Sequence, residues 1–286
     1  MKTVLSIQSQ VAGSRVGNNA AVFAFQRLGL ETIALPTTLY GRRPDRGQPG
    51  GGPSPAGVLR SMLDALEMDG RLKTVDCVLS GYIAATEQAD IVLDAVERVK
   101  KANPYAMYVC DPVMGDTRKP DPAKPDETGF YVAPEIAEAI VKRLAPVADL
   151  ITPNAWELET LTGQPARDTR GAVAAVRSFG KTALVTSAPS AVGIGTLYCA
   201  QTAAWLVETP RVPDPPKGAG DLFTALFLAR RLNGQSVAVS LEAAAGSTYD
   251  VIVRSAARTD GELALIEAQD LLVDPETWPT AQPLVI

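Results

Sequence analysis

The hydrophobic positions of this chain alternate between short continuous runs and longer stretches of helical period. Runs rich in Val, Ile and Leu predict buried strands over residues 3–7, 32–35, 77–79, 107–110, 150–152 and 183–186. The segments between them repeat apolar residues every three or four positions, and they predict helices from Asn18, Pro55, Thr86, Pro134, Asn154 and Gly171. This alternation predicts an α/β fold, with a parallel sheet covered by helices on both faces.

The last third of the chain follows a different pattern. Two strand-like runs at 196–199 and 203–207, joined by Ala200-Gln201-Thr202, predict a hairpin, and long helices are predicted from Leu222 and Val237. No repeat or shift in composition marks a boundary, so we predict a single domain over residues 1–286. Two stretches, 40–55 and 116–129, are rich in Gly, Pro and charged residues, and loops of this length in a compact domain are typical of lids or mobile segments.

Composition narrows the chemistry that the chain can perform. It contains no histidine, which excludes His-based triads, His-ligated zinc and imidazole acid–base catalysis. Its three cysteines are far apart in apolar runs without a C-x-x-C pair, which predicts buried, reduced thiols and a cytoplasmic protein. The absence of a run of ~20 apolar residues predicts no membrane span. A net charge of −5 with scattered Lys and Arg predicts no nucleic-acid partner, so we expect a small-molecule ligand.

The motif Gly218-Ala219-Gly220-Asp221-Leu222-Phe223 places a carboxylate where a glycine loop becomes an apolar helix. Such a turn directs backbone N–H groups and the positive end of a helix at one point, which suits a phosphate or a developing oxyanion. Asp221 would either accept a proton from an attacking hydroxyl group or cap the helix. In a chain without histidine, it is the plausible base.

Polar side chains also follow the predicted strands. Ligands of open parallel sheets bind at the carboxyl ends of the strands, so these side chains are expected to converge on one cleft with Asp221. A Mg-nucleotide site requires such hard oxygen ligands, with water completing the shell around the ion. For each side chain alone, a turn or cap role is the alternative. The set comprises Ser9, Gln10, Ser80 to Tyr82, Asp111, Thr152 to Glu157, Thr186 and Ser187.

Several motifs in this order resemble those of pyridoxal kinases, a vitamin kinase branch of the ribokinase superfamily. The resemblance begins with Val4-Leu5-Ser6-Ile7-Gln8-Ser9, Val16-Gly17-Asn18 and Gln26-Arg27-Leu28-Gly29. It continues through Ser80-Gly81-Tyr82, Asp111-Pro112-Val113-Met114-Gly115-Asp116, Tyr131-Val132, Ile151-Thr152-Pro153-Asn154 with Glu157, Thr186-Ser187 and the glycine motif. It covers essentially the whole chain.

The resemblance implies a three-layer α/β/α sandwich with a mostly parallel central sheet. It implies an ATP-dependent kinase that phosphorylates the 5′-hydroxymethyl group of pyridoxal or related B6 vitamers, in the salvage of pyridoxal 5′-phosphate. Mg²⁺ would accompany ATP, and K⁺ or Na⁺ is the expected additional ion. Members of the family are usually homodimers, so a homodimer is expected here.

The resemblance also implies roles for individual residues. Asp221 would be the base, and the N–H groups of Gly218, Ala219 and Gly220 would form the anion hole. Ser9 and Tyr82 would contact the pyridine ring, beside Asp221. The metal region would comprise Asp111, Asp116, Thr152 and Glu157. The nucleotide would be bound by Asp111, Thr152, Glu157, Thr186, Ser187, Thr209, Val212, Gly218 and Gly220.

Two positions depart from the family pattern. Gln10 stands where the family has His, and Pro44 stands where the family has a Thr whose hydroxyl group bonds the pyridine. Proline has neither a hydroxyl group nor an N–H, so this contact cannot be made from position 44. We therefore expect weak phosphorylation of pyridoxal compared with a typical family member.

The stretch 40–55 is predicted to be a lid over the acceptor. Its Gly and Pro content suits a flap that excludes water from the transferred phosphoryl group. Arg42, Arg43 and Arg46 would either favour an acceptor that already carries an anionic group or be solvated loop charges.

Two alternative functions stay open at this point. A kinase for hydroxymethylpyrimidine or another alcohol is the first, although the glycine loop of that group has Cys where this chain has Asp221. A non-catalytic ligand-binding member of the fold is the second, and the intact Asp221, Asp111 and Glu157 count against it.

Overall fold

The computed structural model of the protein describes residues 1–117 and 129–285 and contains one continuous sheet. Its strands in these residues are β1 (Thr3–Val11), β2 (Glu31–Tyr40), β3 (Gly51–Pro53), β4 (Cys77–Ser80), β5 (Met107–Cys110), β6 (Leu150–Ile151), β7 (Thr182–Ala188), β8 (Ile194–Cys199), β9 (Ala204–Thr209) and β10 (Gln282–Pro283). Their order across the sheet is β10-β9-β8-β7-β6-β5-β4-β1-β2-β3. Neighbours from β2 through β7 in that order are parallel, and β3, β8, β9 and β10 add antiparallel pairs.

Helices cover both faces of the sheet, so the predicted three-layer α/β/α sandwich is confirmed. One apolar core lies under α2 (Ala56–Met68), α3 (Glu87–Ala102), α4 (Pro134–Ala139), α5 (Ala155–Thr162) and α6 (Thr169–Phe179). The other lies under α1 (Asn18–Arg27), α7 (Ala219–Leu232) and α8 (Val237–Ser255). Within the described part of the chain, every helix is too short or too polar to cross a bilayer.

The central strands are buried in the way that the apolar runs of the sequence predict. All four residues of β4 are buried, and β1 is buried along almost its whole length. Strands buried on both faces read as continuous apolar runs, as the sequence does at these positions. Since β1, β4, β5, β6 and β7 are parallel, the segments that follow them meet at one edge of the sheet.

Two element boundaries near the site differ from the prediction. β1 continues to Val11, so Ser9 and Gln10 lie inside the strand rather than after it. α7 begins at Ala219 instead of Leu222, because Gly218 adopts a positive φ of 97° and ends the preceding loop. The hairpin β8–β9 agrees with the prediction, since Cys199 pairs with Ala204 across the predicted turn.

The predicted lid is an ordered extension of the sheet. β2 continues to Tyr40, a 3₁₀ turn covers Pro44–Arg46, and β3 returns antiparallel to β2. We call residues 40–53 the flap. Of the other predicted loop, 116–129, residues 118–128 lie outside the described residues.

Candidate active site

Asp221 lies in the first turn of α7, at the point where the sequence predicted a base or a cap. The first intrahelical bond runs from Leu222 N to Gly218 O at 2.9 Å, so the N–H groups of Ala219, Gly220 and Asp221 precede it. The Asp221 carboxylate does not cap this helix; its Oδ2 accepts a hydrogen bond from Gly17 N at 2.9 Å. Burial raises the pKa of Asp221 to about 6, against the opposing effect of that hydrogen bond.

Two glycines allow this contact. A Cβ on Gly218 would collide with the carbonyl oxygen of Arg15, and one on Gly17 would collide with Ser9 Oγ. Both have positive φ angles, 97° at Gly218 and 55° at Gly17. Only glycine combines this conformation with so little space. The β1–α1 loop, residues 12–17, therefore packs directly against the start of α7.

Asp111 and Glu157 are both buried, and Asp111 lies close enough to Asp221 and to Glu157 for their charges to affect it. Burial raises the pKa of Asp111 well above its usual value, and the negative charges of Asp221 and Glu157 raise it further, with partial opposition from the Thr152 hydroxyl group. Burial also raises the pKa of Glu157 to about 7, although three backbone hydrogen bonds oppose the shift. Negative charge is therefore concentrated here, which favours a bound cation.

Glu157 forms part of the N-terminal cap of α5. It forms a capping box at the start of α5, in which Oε2 accepts from Asn154 N at 2.9 Å and Asn154 Oδ1 accepts from Glu157 N at 2.9 Å. The other oxygen, Oε1, accepts from Met114 N at 2.9 Å and from Gly115 N at 3.3 Å. Glu157 thus ties the loop after β5 to α5.

The predicted metal set does not form a closed cage. Among residues 1–117 and 129–285, no three acidic or cysteine side chains are close enough together to hold one ion. Asp116 instead faces Lys217, with 3.4 Å between Oδ2 and Nζ, and the Glu157 oxygens are occupied by N–H donors. Asp111 remains, with Thr152 beside it. This donor set fits Mg²⁺, which proteins bind through one or two carboxylates, water and substrate phosphates.

A cavity of about 750 Å³ opens next to Asp221. Five residues of the predicted site line it, namely Ser9, Tyr82, Asp116, Gly218 and Asp221. Aromatic and apolar side chains form much of the rest of the wall, including Val11, Val16, Tyr40, Val113, Phe130 and Tyr131. Apolar walls with a few polar groups are typical of a pocket for a small ring compound.

A second cavity of about 490 Å³ adjoins the first and shares Arg43, Asp45 and Lys217 with it. Val212 lines this second cavity, as do residues 213–216 and Arg258. Of the nine predicted nucleotide residues, Val212 and Gly218 each line one of the two cavities. The other seven line neither, namely Asp111, Thr152, Glu157, Thr186, Ser187, Thr209 and Gly220. Thr186 N donates to Pro153 O at 2.9 Å, and Ser187 is exposed with a positive φ of 51°. Their nucleotide roles stay predictions.

The sequence reasoning missed Lys217, which precedes the glycine motif directly. Its Nζ donates to the Tyr131 hydroxyl at 2.7 Å and lies 5.0 Å from the centre of that ring. Burial lowers the pKa of Lys217, but the contacts with Tyr131 and Asp116 outweigh this effect and raise it. A protonated amine therefore stands between the two cavities. A cation next to a glycine loop is the signal that could have identified it.

The flap arginines are held by other groups. Arg43 is buried and pairs with Asp45 Oδ1 at 3.0 Å and with Glu262 Oε1 at 3.2 Å. Arg46 Nη2 lies 3.1 Å from Glu262 Oε1, and Arg42 Nε donates to Gln48 O at 2.8 Å. Neither sequence interpretation, a free charge for an anionic acceptor or a solvated loop charge, describes Arg43.

The two positions that depart from the family pattern have different surroundings. Pro44 lines the larger cavity, where it presents only apolar atoms from its ring. Gln10 lines neither cavity, and its side-chain amide donates to Asn19 Oδ1 in the first turn of α1. The substitution at position 44 therefore bears directly on the pocket.

Comparison with known proteins identifies close relatives. The sequence matches the phosphomethylpyrimidine kinase family over residues 16–264. It is 38% identical over 280 residues to pyridoxal kinase PdxY of Corynebacterium diphtheriae, covering 95% of this chain and 96% of that protein. It is 40% identical over 281 residues to pyridoxal kinase PdxY of Rubrobacter xylanophilus, covering 95% of this chain and 94% of that protein.

Solved structures agree with the sequence comparison. The pyridoxal kinase of Leishmania donovani, in complex with ADP and pyridoxamine, superimposes with a TM-score of 0.90, at 25% identity and with 100% of both chains covered. The pyridoxal kinase of Entamoeba histolytica shares the fold, with a TM-score of 0.89 at 23% identity over 99% of this chain and 100% of that one.

The two glycines of the motif should respond differently to alanine. Gly218→Ala introduces a Cβ at a positive φ and against the Arg15 carbonyl group, so we expect a loss of about 1–3 kcal/mol in the free energy of unfolding. Gly220→Ala is the matched control, because a Cβ there meets no atom within 4 Å and alanine favours the helix. Denaturant unfolding measures both. Equal stability of the two variants would contradict the packing described here.

Proposed function

Because the chain belongs to the phosphomethylpyrimidine kinase family, we propose that it acts as a pyridoxal kinase, transferring the γ-phosphoryl group of ATP to the 5′-hydroxymethyl group of pyridoxal or a related B6 vitamer. The observation that carries this proposal is the position of Asp221, whose carboxylate lies at the N-terminus of α7 and lines the ring-sized cavity. Full-length relatives named pyridoxal kinase, at 38% and 40% identity, support the same acceptor.

Asp221 is the group that accepts the proton in this mechanism. As the acceptor oxygen attacks phosphorus, the new O–P bond forms, the bond to the β-phosphate oxygen breaks, and the hydroxyl proton passes to the Asp221 carboxylate. The Gly17 N–H holds Oδ2 in place, which leaves Oδ1 available for the hydroxyl group. A pKa near 6 keeps the carboxylate ionised at neutral pH and raises its basicity above that of an exposed Asp.

The start of α7 supplies the positive potential that the transferred group requires. The N–H groups of Ala219, Gly220 and Asp221 have no acceptor within the helix, and they add to the helix dipole at this point. Lys217 adds a full charge on the wall that the two cavities share. Developing negative charge on the phosphoryl oxygens is therefore stabilised from two sides.

Mg²⁺ fits Asp111 together with water and the phosphates of ATP. Bound with ATP, it would offset the negative charge of the phosphates during transfer. Asp111 is the side chain that we propose to hold the ion, with Thr152 beside it and with Glu157 fixing the surrounding loop. The smaller cavity, next to Val212 and Lys217, is the proposed location of the nucleotide. A monovalent ion, K⁺ or Na⁺, stays a prediction from the resemblance.

The larger cavity is the proposed acceptor pocket. Ser9 and Tyr82 line it opposite the flap, and burial raises the pKa of Tyr82 to about 12, so that its hydroxyl group stays a neutral donor. Pro44 occupies the flap position where a hydrogen bond to the ring is lost. We propose that the flap acts as a lid over this pocket.

Further properties of the protein follow the same proposal. A single sheet runs through the chain, so we propose one kinase domain over residues 1–286. All three cysteines are buried and unpaired, which supports a reducing, cytoplasmic location. The homodimer that the resemblance implies stays a proposal.

A panel of acceptors tests the proposed function. We expect ATP-dependent phosphorylation of pyridoxal, pyridoxine and pyridoxamine, and lower activity with hydroxymethylpyrimidine. Hydroxymethylpyrimidine is included because the family is named for phosphomethylpyrimidine kinase. Pro44→Thr should lower the KM for pyridoxal about tenfold, because it restores a hydrogen bond to the ring. Product formation and ADP release, measured together, check both points. A preference for hydroxymethylpyrimidine would overturn the acceptor, and no turnover with any acceptor would favour a non-catalytic protein.

Removing the base should abolish most of the catalysis. Asp221→Asn keeps the shape and loses the proton acceptor, so we expect kcat to fall by roughly 10²- to 10⁴-fold while nucleotide binding is retained. For the unsubstituted protein, kcat/KM should fall as the pH drops through about 6, because protonated Asp221 cannot accept the proton. Near-normal turnover of the variant would rule out this role.

Glu157 should control the use of Mg²⁺ through the loop that it holds. Glu157→Gln replaces one acceptor oxygen by an amide NH₂ donor that faces backbone N–H groups, so we expect the Mg²⁺ concentration for half-maximal activity to rise about tenfold. Glu159→Gln is the control, since Glu159 lies on the same helix and accepts from Ala166 N at 2.7 Å outside the site. Equal metal dependence in both variants would exclude the role of Glu157.

A further inference from the structure

One buried carboxylate, that of Glu262, joins three separate segments of the chain. Its Oε2 accepts from Arg15 N at 2.8 Å, and its Oε1 accepts from Ser14 Oγ at 2.9 Å. Oε1 also lies 3.2 Å from Arg43 Nη1 and 3.1 Å from Arg46 Nη2. Glu262 is only 5% exposed, so these contacts are shielded from water. The segment after α8 is thereby bound to the β1–α1 loop and to the flap.

On one side, Glu262 holds the flap at the boundary between the two cavities. Arg43 lines both cavities and is itself buried. Arg46 adds a second attachment, since its Nη2 donates to Asp260 O at 2.7 Å and to Gly261 O at 3.3 Å. The base of the flap is attached to the sheet by β3 and to the β1–α1 loop by hydrogen bonds from Ala12 N to Tyr40 O at 2.8 Å and from Gly13 N to Gly41 O at 3.0 Å. Glu262 therefore supplies the attachment at the end of the flap that is far from the sheet.

On the other side, Glu262 holds the loop that orients the base. The carbonyl group of Arg15 packs against Gly218, at the start of the anion hole. Gly17, two residues further along, donates the hydrogen bond to Asp221. A shift of the loop at Ser14 and Arg15 would therefore move both the anion hole and the partner of the base.

We propose that Glu262 is a positioning residue that couples closure of the flap to the alignment of Asp221. This role rests on the proposed kinase function. Glu262 belongs to none of the sequence motifs and lines neither cavity. With Glu262 in place, the flap covers the junction of the two cavities and excludes water while the β1–α1 loop holds the base. Without it, the flap opens and water competes with the acceptor for the phosphoryl group.

The chemical test compares Glu262→Gln with Glu276→Gln. The control removes a carboxylate that pairs with Arg254 at the surface, at 3.0 Å, and neither residue of this pair lines a cavity. We expect Glu262→Gln to raise the KM of the acceptor and to raise ATP hydrolysis without acceptor, each by about tenfold relative to the control. A merely structural role would lower the amount of active enzyme without changing the ratio of phosphorylated product to ADP. An unchanged ratio would overturn the inference.

Limited digestion with trypsin tests whether Glu262 holds the flap, without relying on catalysis. Arg42 and Arg46 are exposed cleavage sites in the flap, whereas the bond after Arg43 precedes Pro44 and resists the enzyme. Cleavage in the flap should be at least about tenfold faster in Glu262→Gln than in Glu276→Gln. Equal cleavage rates in the two variants would show that Glu262 does not hold the flap. This outcome does not depend on the proposed kinase function.

Arg43→Gln is the second variant, and it leaves the contacts of Glu262 with Ser14 and Arg15 intact. It should open the flap to trypsin and raise uncoupled hydrolysis as Glu262→Gln does, and the double variant should be little worse than either single variant. Strictly additive effects would show that the two residues act independently, which would contradict the proposal. If the unsubstituted protein phosphorylates no acceptor, the proposed function is wrong. The digestion experiment then decides by itself whether Glu262 holds the flap.

Discussion

The hydrogen bond from Gly17 N to the Asp221 carboxylate is the contact on which the arrangement of the site depends. It joins the start of α1 to the start of α7, so two helix N-termini point at the same region. The approach is possible because neither Gly17 nor Gly218 has a side chain at the place where the two segments touch. The direct partner of the Asp221 carboxylate is therefore a backbone N–H group rather than a side chain.

Buried carboxyl groups and one lysine set the electrostatic potential around this contact. Asp111, Glu157 and Asp221 lie together in a region that burial has removed from water, and the charges of the other two add to the burial effect that raises the pKa of Asp111. Lys217 stands at the outer side, where the two cavities meet. The raised pKa values mean that ionising these carboxyl groups together is unfavourable. A cation bound beside them would offset their negative charge.

The sequence predicted the layers of the fold and the residues of the glycine motif because both depend on local pattern. Buried strands such as β4 read as apolar runs, and the glycine motif is one continuous segment of six residues. The strand β3 was missed, since Gly51, Gly52 and Pro53 carry no apolar signal. Glu262 could not be found from pattern either, because its partner Ser14 is 248 residues away and only the tertiary fold brings them together.

The two edges of the sheet have a consequence for how copies of this chain could associate. The outermost strands, β3 and β10, have three and two residues, and each contains a proline, which has no N–H to donate to a neighbouring strand. Extension of the sheet from one molecule into the next is therefore blocked at both ends. Two copies that associated without sheet extension would therefore contact each other through surfaces other than the β3 and β10 edges, and the flap beside β3 would stay outside such a contact.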